Sequence, residues 1–289
     1  MLSNIKTVLS SAISAGLKPR TAKEGLLYEG QTLCGLARVT QDRDGIRTLR
    51  FGKNGPRQSV VKPGDLNYLG LPYIKSATIG LAFTEHIDRI LVIGVGGGSI
   101  PMFLHKYYPS VHIDVVDIDP QIIALAKQYF NFAENRSLIS HAQDGRTFVE
   151  NVQKPYDLIF LDAFTAAGIP NHLATKEFLL AMKNALNASG AIITNMWSTA
   201  TANPLYKPML RTYQEVFHEV YTLRVPKAGN KVVIALPIIK KVTLNGITEH
   251  AQQISVQRTL PFDLSELLQP GLVRLIDLQG SKILLDSEQ

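Results

Sequence analysis

Cysteine is all but absent: Cys34 stands alone, so an intrachain disulfide is impossible and the cytoplasm is the expected compartment. Charge is sparse too. Charged residues make up 19% of the 289, with 30 Lys and Arg against 24 Asp and Glu, and the net +6 is not gathered into a basic block. That reads as a mildly basic solvated surface and predicts no nucleic-acid partner. No apolar run approaches the ~20 residues that cross a bilayer, so no membrane partner is expected either. Internal repeats and low-complexity tracts are missing. The 7 histidines are scattered without metal-ligand spacing, so no metal is expected.

What the chain does have is core: 45% hydrophobic residues, enough for one large domain and a small one. Residues 1–16, with Lys6 in a Ser- and Ala-rich stretch, read as a short amphipathic helix or a leader. Short β-like runs then follow, Gly35-Leu36-Ala37-Arg38-Val39 and Arg47-Thr48-Leu49-Arg50-Phe51, punctuated by Asp44-Gly45 and Asn54-Gly55-Pro56. They predict a small antiparallel meander. An apolar helical stretch over 69–83 leads into alternating elements: strands at 90–93, 112–116, 158–161 and 191–194, helices at 100–108, 120–129 and 175–186. That alternation predicts a parallel sheet covered by helices. A helix over 205–217 precedes two β-rich runs, 220–225 and 231–236, whose short connection forces them antiparallel. A parallel sheet closed by such a hairpin is an α/β, class I methyltransferase-like (Rossmann-like) arrangement, here with a small N-terminal β domain. The expected division is 1–20, 21–63, 64–239 and a C-terminal extension 240–289 of unassigned role.

Chemistry concentrates where Ile90-Leu91-Val92-Ile93 runs into Gly94-Val95-Gly96-Gly97-Gly98, and where the next strand ends in Asp117-Ile118-Asp119-Pro120. A glycine turn followed one βαβ unit later by an acid holds a nucleoside: glycines let backbone approach the ligand, and the acid accepts the ribose hydroxyls. Gly94, Gly96 and Gly98 satisfy G-x-G-x-G, and no Gly-Lys-Ser/Thr follows, which excludes a P-loop. Asp117 is the ribose candidate. Asp119 either joins it or caps the helix that Pro120 starts. Asp144-Gly145 opens a helical stretch, where Asp144 either meets the exocyclic amine of adenine or serves as an N-cap. Asp162 ends a strand at the carboxyl edge where such sheets place ligands, and residues 163–170 have the small, flexible composition of a lid. Trp197 and Tyr73 fit either a pocket wall or the core.

In this order the motifs resemble the spermidine synthase family of aminopropyltransferases, from about residue 28 to 236. The landmarks are Gln58, Tyr73, Leu91-Val92-Ile93-Gly94, Val116-Asp117-Ile118-Asp119-Pro120, Asp144-Gly145, Asp157-Leu158-Ile159-Phe160-Leu161-Asp162 and Thr175-Lys176-Glu177-Phe178. The resemblance implies binding of decarboxylated S-adenosylmethionine, with Asp117 on the ribose, Asp144 on the adenine, Gln58 and Tyr73 flanking the site, and transfer to a small-molecule acceptor. It also implies the homodimer that the family often forms. Three family acids are replaced. The aspartate of the glycine turn is Gly97, the glutamate of Tyr-His-Glu is Lys75, and the second aspartate of Asp-Ser-Ser-Asp-Pro, the family's general base, is Thr165, while Asp162 is kept. Asp162 and Thr165 therefore stand at the catalytic positions. Three functions fit: an aminopropyl-type transferase with an altered acceptor; an S-adenosylmethionine-dependent methyltransferase, with Lys75 pairing the methionine carboxylate; and a non-catalytic nucleoside-binding protein.

Overall fold

The structure, a computed structural model, describes residues 24–165, 168–198, 204–276, 278 and 280–288. The expected helix or leader at 1–20 lies outside the described residues.

Four strands, β1 (Gly25–Thr32), β2 (Gly35–Gln41), β3 (Arg47–Phe51) and β4 (Arg57–Val61), form the predicted meander, each antiparallel to the next. Sequence reading found only its two central strands. Ala37, Val39, Leu49 and Phe51 point alternately inward from them and are buried.

The helical stretch after the meander is a short helix α1 (Pro72–Ala77) that tightens into a 3-10 turn over 78–83. The main sheet then begins with β5 (Arg89–Ile93), α2 (Ser99–Tyr107), β6 (His112–Asp117), α3 (Pro120–Tyr129), β7 (Leu138–Ala142), α4 (Gly145–Glu150) and β8 (Tyr156–Leu161). It continues with α5 (Lys176–Asn184), β9 (Leu186–Trp197), α6 (Tyr206–Val216), β10 (Glu219–Arg224) and β11 (Asn230–Leu236). The order across the sheet is β10-β11-β9-β8-β5-β6-β7. β5 to β9 run parallel, and β11 is antiparallel to both β9 and β10, as the short connection required. Edge strand β7 was not foreseen.

Why the sheet is covered on both sides follows from its strands. Ile90, Leu91, Val92 and Ile93 are all at most 1% exposed, a continuous apolar run with no wet face. Each such side chain contributes roughly 1.5–3 kcal/mol on burial. Ile90 and Val92 join one core with α2, α3 and the meander; Leu91 and Ile93 join another with α5 and α6. The same period-two split divides Leu158 and Phe160 from Ile159 and Leu161.

The C-terminal residues are built into this body. Helix α7 (Leu244–Gln257) packs Ile247, Ala251 and Ile254 on the 78–83 turn, and β12 (Leu272–Arg274) pairs antiparallel with β10 as an eighth strand. Lys240 donates from Nζ to Phe83 O at 2.7 Å and Ser189 O at 2.6 Å, and His250 Nδ1 donates to Ala82 O at 2.8 Å.

Candidate active site

The chain turns from one side of β5 to the other between β6 and β8, and at such a switch point the strand ends open a crevice. There a cavity of about 240 Å³ lies between the carboxyl ends of β5, β6 and β8, with the meander and α1 as its other wall. Gln58, Tyr73, Gly94, Gly96, Asp117, Asp144, Gly145, Asp162 and Thr165 all line it. Gly98 does not: it is left-handed at φ 77°, starts α2, and a Cβ there would lie 2.8 Å from Phe132. Gly94 is glycine for closeness of backbone, since a Cβ on it would fall 2.3 Å from the carbonyl oxygen of Asp162.

Asp117 ends β6, where Oδ2 accepts from Val95 N at 2.9 Å and Oδ1 from Asp119 N at 3.0 Å. Burial pushes its carboxyl up to about 6; the two amides pull the other way. Its oxygens keep lone pairs for a ligand. Asp119 is the N-cap of α3, with Oδ1 accepting from Gln121 N at 2.9 Å, and its Oδ2 accepts from Cys34 N at the tip of the β1–β2 hairpin, 3.2 Å away. Cys34 lines the cavity, but burial and then the two aspartates push its thiol up to about 12, so it stays protonated.

Asp144 is an N-cap that also lines the cavity. Its Oδ1 caps α4 through Thr147 N at 2.9 Å while it faces the cavity, and its Oδ2 meets His172 Nε2 at 2.9 Å. Burial opposes its charge, yet the Thr147 amide and the His172 imidazole hold the carboxyl below the usual range.

Asp162 is the most constrained acid. Tyr73 OH donates to its Oδ2 at 3.0 Å and Asn195 Nδ2 to its Oδ1 at 3.0 Å, and Asn230 Nδ2 in turn donates to Asn195 Oδ1 at 2.9 Å. Burial pushes the Asp162 carboxyl up to about 7 against those two neutral donors. The same burial, with Asp162 alongside, keeps the Tyr73 phenol protonated. Beyond this group a second cavity of about 450 Å³ opens, walled by Asn195, Trp197, Asn230 and the 227–229 turn, and sharing Gln58, Tyr73, Phe164 and Thr165 with the first.

Comparison with known proteins decides the family. A profile of the spermine/spermidine synthase domain matches residues 76–245. A polyamine aminopropyltransferase of Vibrio vulnificus is 38% identical over 206 residues, covering 68% of each chain. The chain belongs to the spermine/spermidine synthase family. This synthase-family protein is a transferase, and its fold is shared across two activities. The structure titled a probable spermidine synthase of Corynebacterium glutamicum has a TM-score of 0.67 at 20% identity, over 92% of this chain and 97% of that one. Human methyltransferase-like protein 13 in complex with SAH has a TM-score of 0.61 at 25% identity, over 66% of this chain and 94% of that one.

The three replaced acids of this synthase-family chain fall in different places. Thr165 lines both cavities. Gly97 lines neither cavity: a Cβ there would meet Ser59 Oγ at 2.7 Å and Val61 Cγ2 at 3.0 Å. Lys75 corrects the expectation that it reaches the pocket, because its Nζ lies 4.4 Å over the Phe262 ring and it lines neither cavity. Sequence reading missed His172, Asn195, Asn230 and Ser99, whose Oγ is buried at the cavity wall without a hydrogen-bond partner among the described residues. A polar Asn195 inside the apolar run 191–196 was the available signal.

Proposed function

We propose that the protein transfers the aminopropyl group of decarboxylated S-adenosylmethionine to a small amine, with Asp162 as the base. One observation carries this: the donor cavity is lined by three carboxylates, Asp117, Asp144 and Asp162, and, among the described residues, by no lysine or arginine. The decarboxylated donor carries a sulfonium and an ammonium, both cationic, and suits that field. Intact S-adenosylmethionine adds a carboxylate, for which the described wall supplies no lysine or arginine; His172 is engaged with Asp144 and Lys75 with Phe262.

In this reading Asp117 accepts the ribose hydroxyls, Asp144 the adenine amine, and Ser99 offers its unspent hydroxyl. Gly94 and Gly96 bring backbone close to the sugar, with Gly145 beside the base and Gln58 and Tyr73 at the sulfonium end. The acceptor ammonium gives a proton to Asp162, whose carboxyl, near 7, is matched to that task at neutral pH. The freed amine then attacks the aminopropyl carbon bound to sulfur. The N–C bond forms, the C–S bond breaks with its electron pair going to sulfur, and neutral methylthioadenosine leaves. Thr165, which cannot take the proton, bounds the junction of the two cavities. Alignment of amine and carbon across that junction supplies much of the rate.

Calorimetry with decarboxylated S-adenosylmethionine, S-adenosylmethionine and methylthioadenosine tests the donor, followed by an assay of methylthioadenosine release with amine acceptors. Tighter binding of the carboxylated donor, with methyl transfer, would replace this reading by the methyltransferase one. Binding without turnover of either donor would leave a nucleoside-binding protein.

A further inference from the structure

The second cavity differs in charge from the first. Among its described lining residues there is no Asp or Glu. Asp162 lines the first cavity and is hydrogen-bonded to Tyr73 and Asn195 of the second cavity's wall, so a single amine reaching across from that wall would lose its proton there. A diamine needs a second anion at its far end, because its distal ammonium remains charged and is costly to desolvate unpaired. This chamber offers the reverse. Arg57, from β4, and Lys227, from the β10–β11 turn, both line it, both are exposed, and neither side chain makes an ion pair or hydrogen bond among the described residues. The inner wall is neutral: buried Asn195 and Asn230, and Trp197, whose ring lies beside Gly229.

Resting on the aminopropyl reading above, we propose that the acceptor is a primary amine carrying an anionic group at its far end, not a diamine, and that Arg57 and Lys227 select it. The amine sits at Asp162, the carbon chain runs along Trp197, and the anionic group reaches the two rim cations. The transfer is the balanced one already described, with the acceptor's tail unchanged.

The probes are putrescine, 4-aminobutanoate and butylamine, which share a four-carbon chain and differ at the far end. Methylthioadenosine release reads turnover for all three, and fluorescence of Trp197, the one tryptophan of the chain, reads acceptor binding separately. Two solvent-screened charges together are expected to give 4-aminobutanoate about a tenfold higher kcat/KM than putrescine. The double variant Arg57→Glu with Lys227→Glu, both at exposed positions, should raise KM for 4-aminobutanoate about tenfold and lower it for putrescine, with kcat little changed. Putrescine preferred by the parent, butylamine equal to 4-aminobutanoate, or a double variant that treats both charged acceptors alike would overturn the acceptor class while leaving the donor reading standing. Failure to bind decarboxylated S-adenosylmethionine in calorimetry would instead remove the donor reading and this one with it.

Discussion

Replacing Asp162 by asparagine should make the protein both slower and, at alkaline pH, more stable. The carboxylate accepts from Tyr73 OH and Asn195 Nδ2, each at 3.0 Å, yet burial still lifts it from 3.8 to about 7. A carboxyl raised on folding binds its proton more tightly in the native state. Stability from this group is therefore fullest below its unfolded value and is lost as pH climbs toward 7. The whole displacement corresponds to about 4 kcal/mol; with an effective dielectric well above that of a dry interior, about 2 kcal/mol is the expected loss. The amide does not titrate: its oxygen accepts from Asn195, and its NH2 donates to the Tyr73 hydroxyl oxygen. In denaturant titrations Asp162→Asn should match the parent at pH 4 and exceed it by about 2 kcal/mol at pH 8. Its kcat should fall about 100- to 10,000-fold, roughly 3 to 5 kcal/mol of barrier. The parent's kcat/KM should rise with pH along a limb near 7 that the variant lacks. A stability difference flat across pH would show that burial does not strain this carboxylate. A variant that kept its rate and its pH limb would place the base elsewhere.

Asp117→Asn should weaken methylthioadenosine binding about 10- to 100-fold in calorimetry, the worth of a charge-assisted hydrogen bond; a loss under about threefold would move the ribose away from this residue. Gly97→Asp restores the family's acid but drives a Cβ to 2.7 Å from Ser59 Oγ. It should cost about 1–3 kcal/mol in thermal or chemical denaturation, with no gain in putrescine turnover, and a variant as stable as the parent would contradict the packing described. Lys75→Ala should leave donor KM unchanged and lower stability by about 0.5–1 kcal/mol through loss of its contact with the Phe262 ring; a tenfold rise in donor KM would return Lys75 to the pocket.

The parallel sheet was legible because β5 and the 158–161 part of β8 are buried on both faces and read as unbroken apolar runs, and because β5, β6 and β8 lead into Gly94, Asp117 and Asp162, although β6 carries Asp114 midway. Strand β7 was not, because Leu138-Ile139-Ser140-His141-Ala142 is a half-wet edge with one fully buried side chain. Helix α7 buries little more than Ile247, Ala251 and Ile254 and carries Gly246 in its first turn, so its period is faint. In the site, the acids at strand ends announced themselves locally. Their partners did not, apart from Tyr73, which the family resemblance supplied: Asn195 reaches Asp162, with Asn230 behind it, only after β9 and β11 pair. Lys75, next but one to Tyr73 on α1, turned away because Phe262, far along the chain, packs there.

Asp119 fastens two bodies with one side chain, since the same carboxylate that caps α3 also receives the Cys34 amide of the β1–β2 hairpin, a bond that amide shares with Thr32 Oγ1 at 3.2 Å. Leu33, at the hairpin tip, is 74% exposed, so raising the tip strips little apolar surface from its packing. A segment of that kind opens locally at far lower free energy than the sheet beneath it melts. Hydrogen exchange at the Cys34 amide should then be fast in the empty protein and slow once a nucleoside fills the cavity, making the hairpin's opening, rather than global unfolding, the step that meters ligand departure.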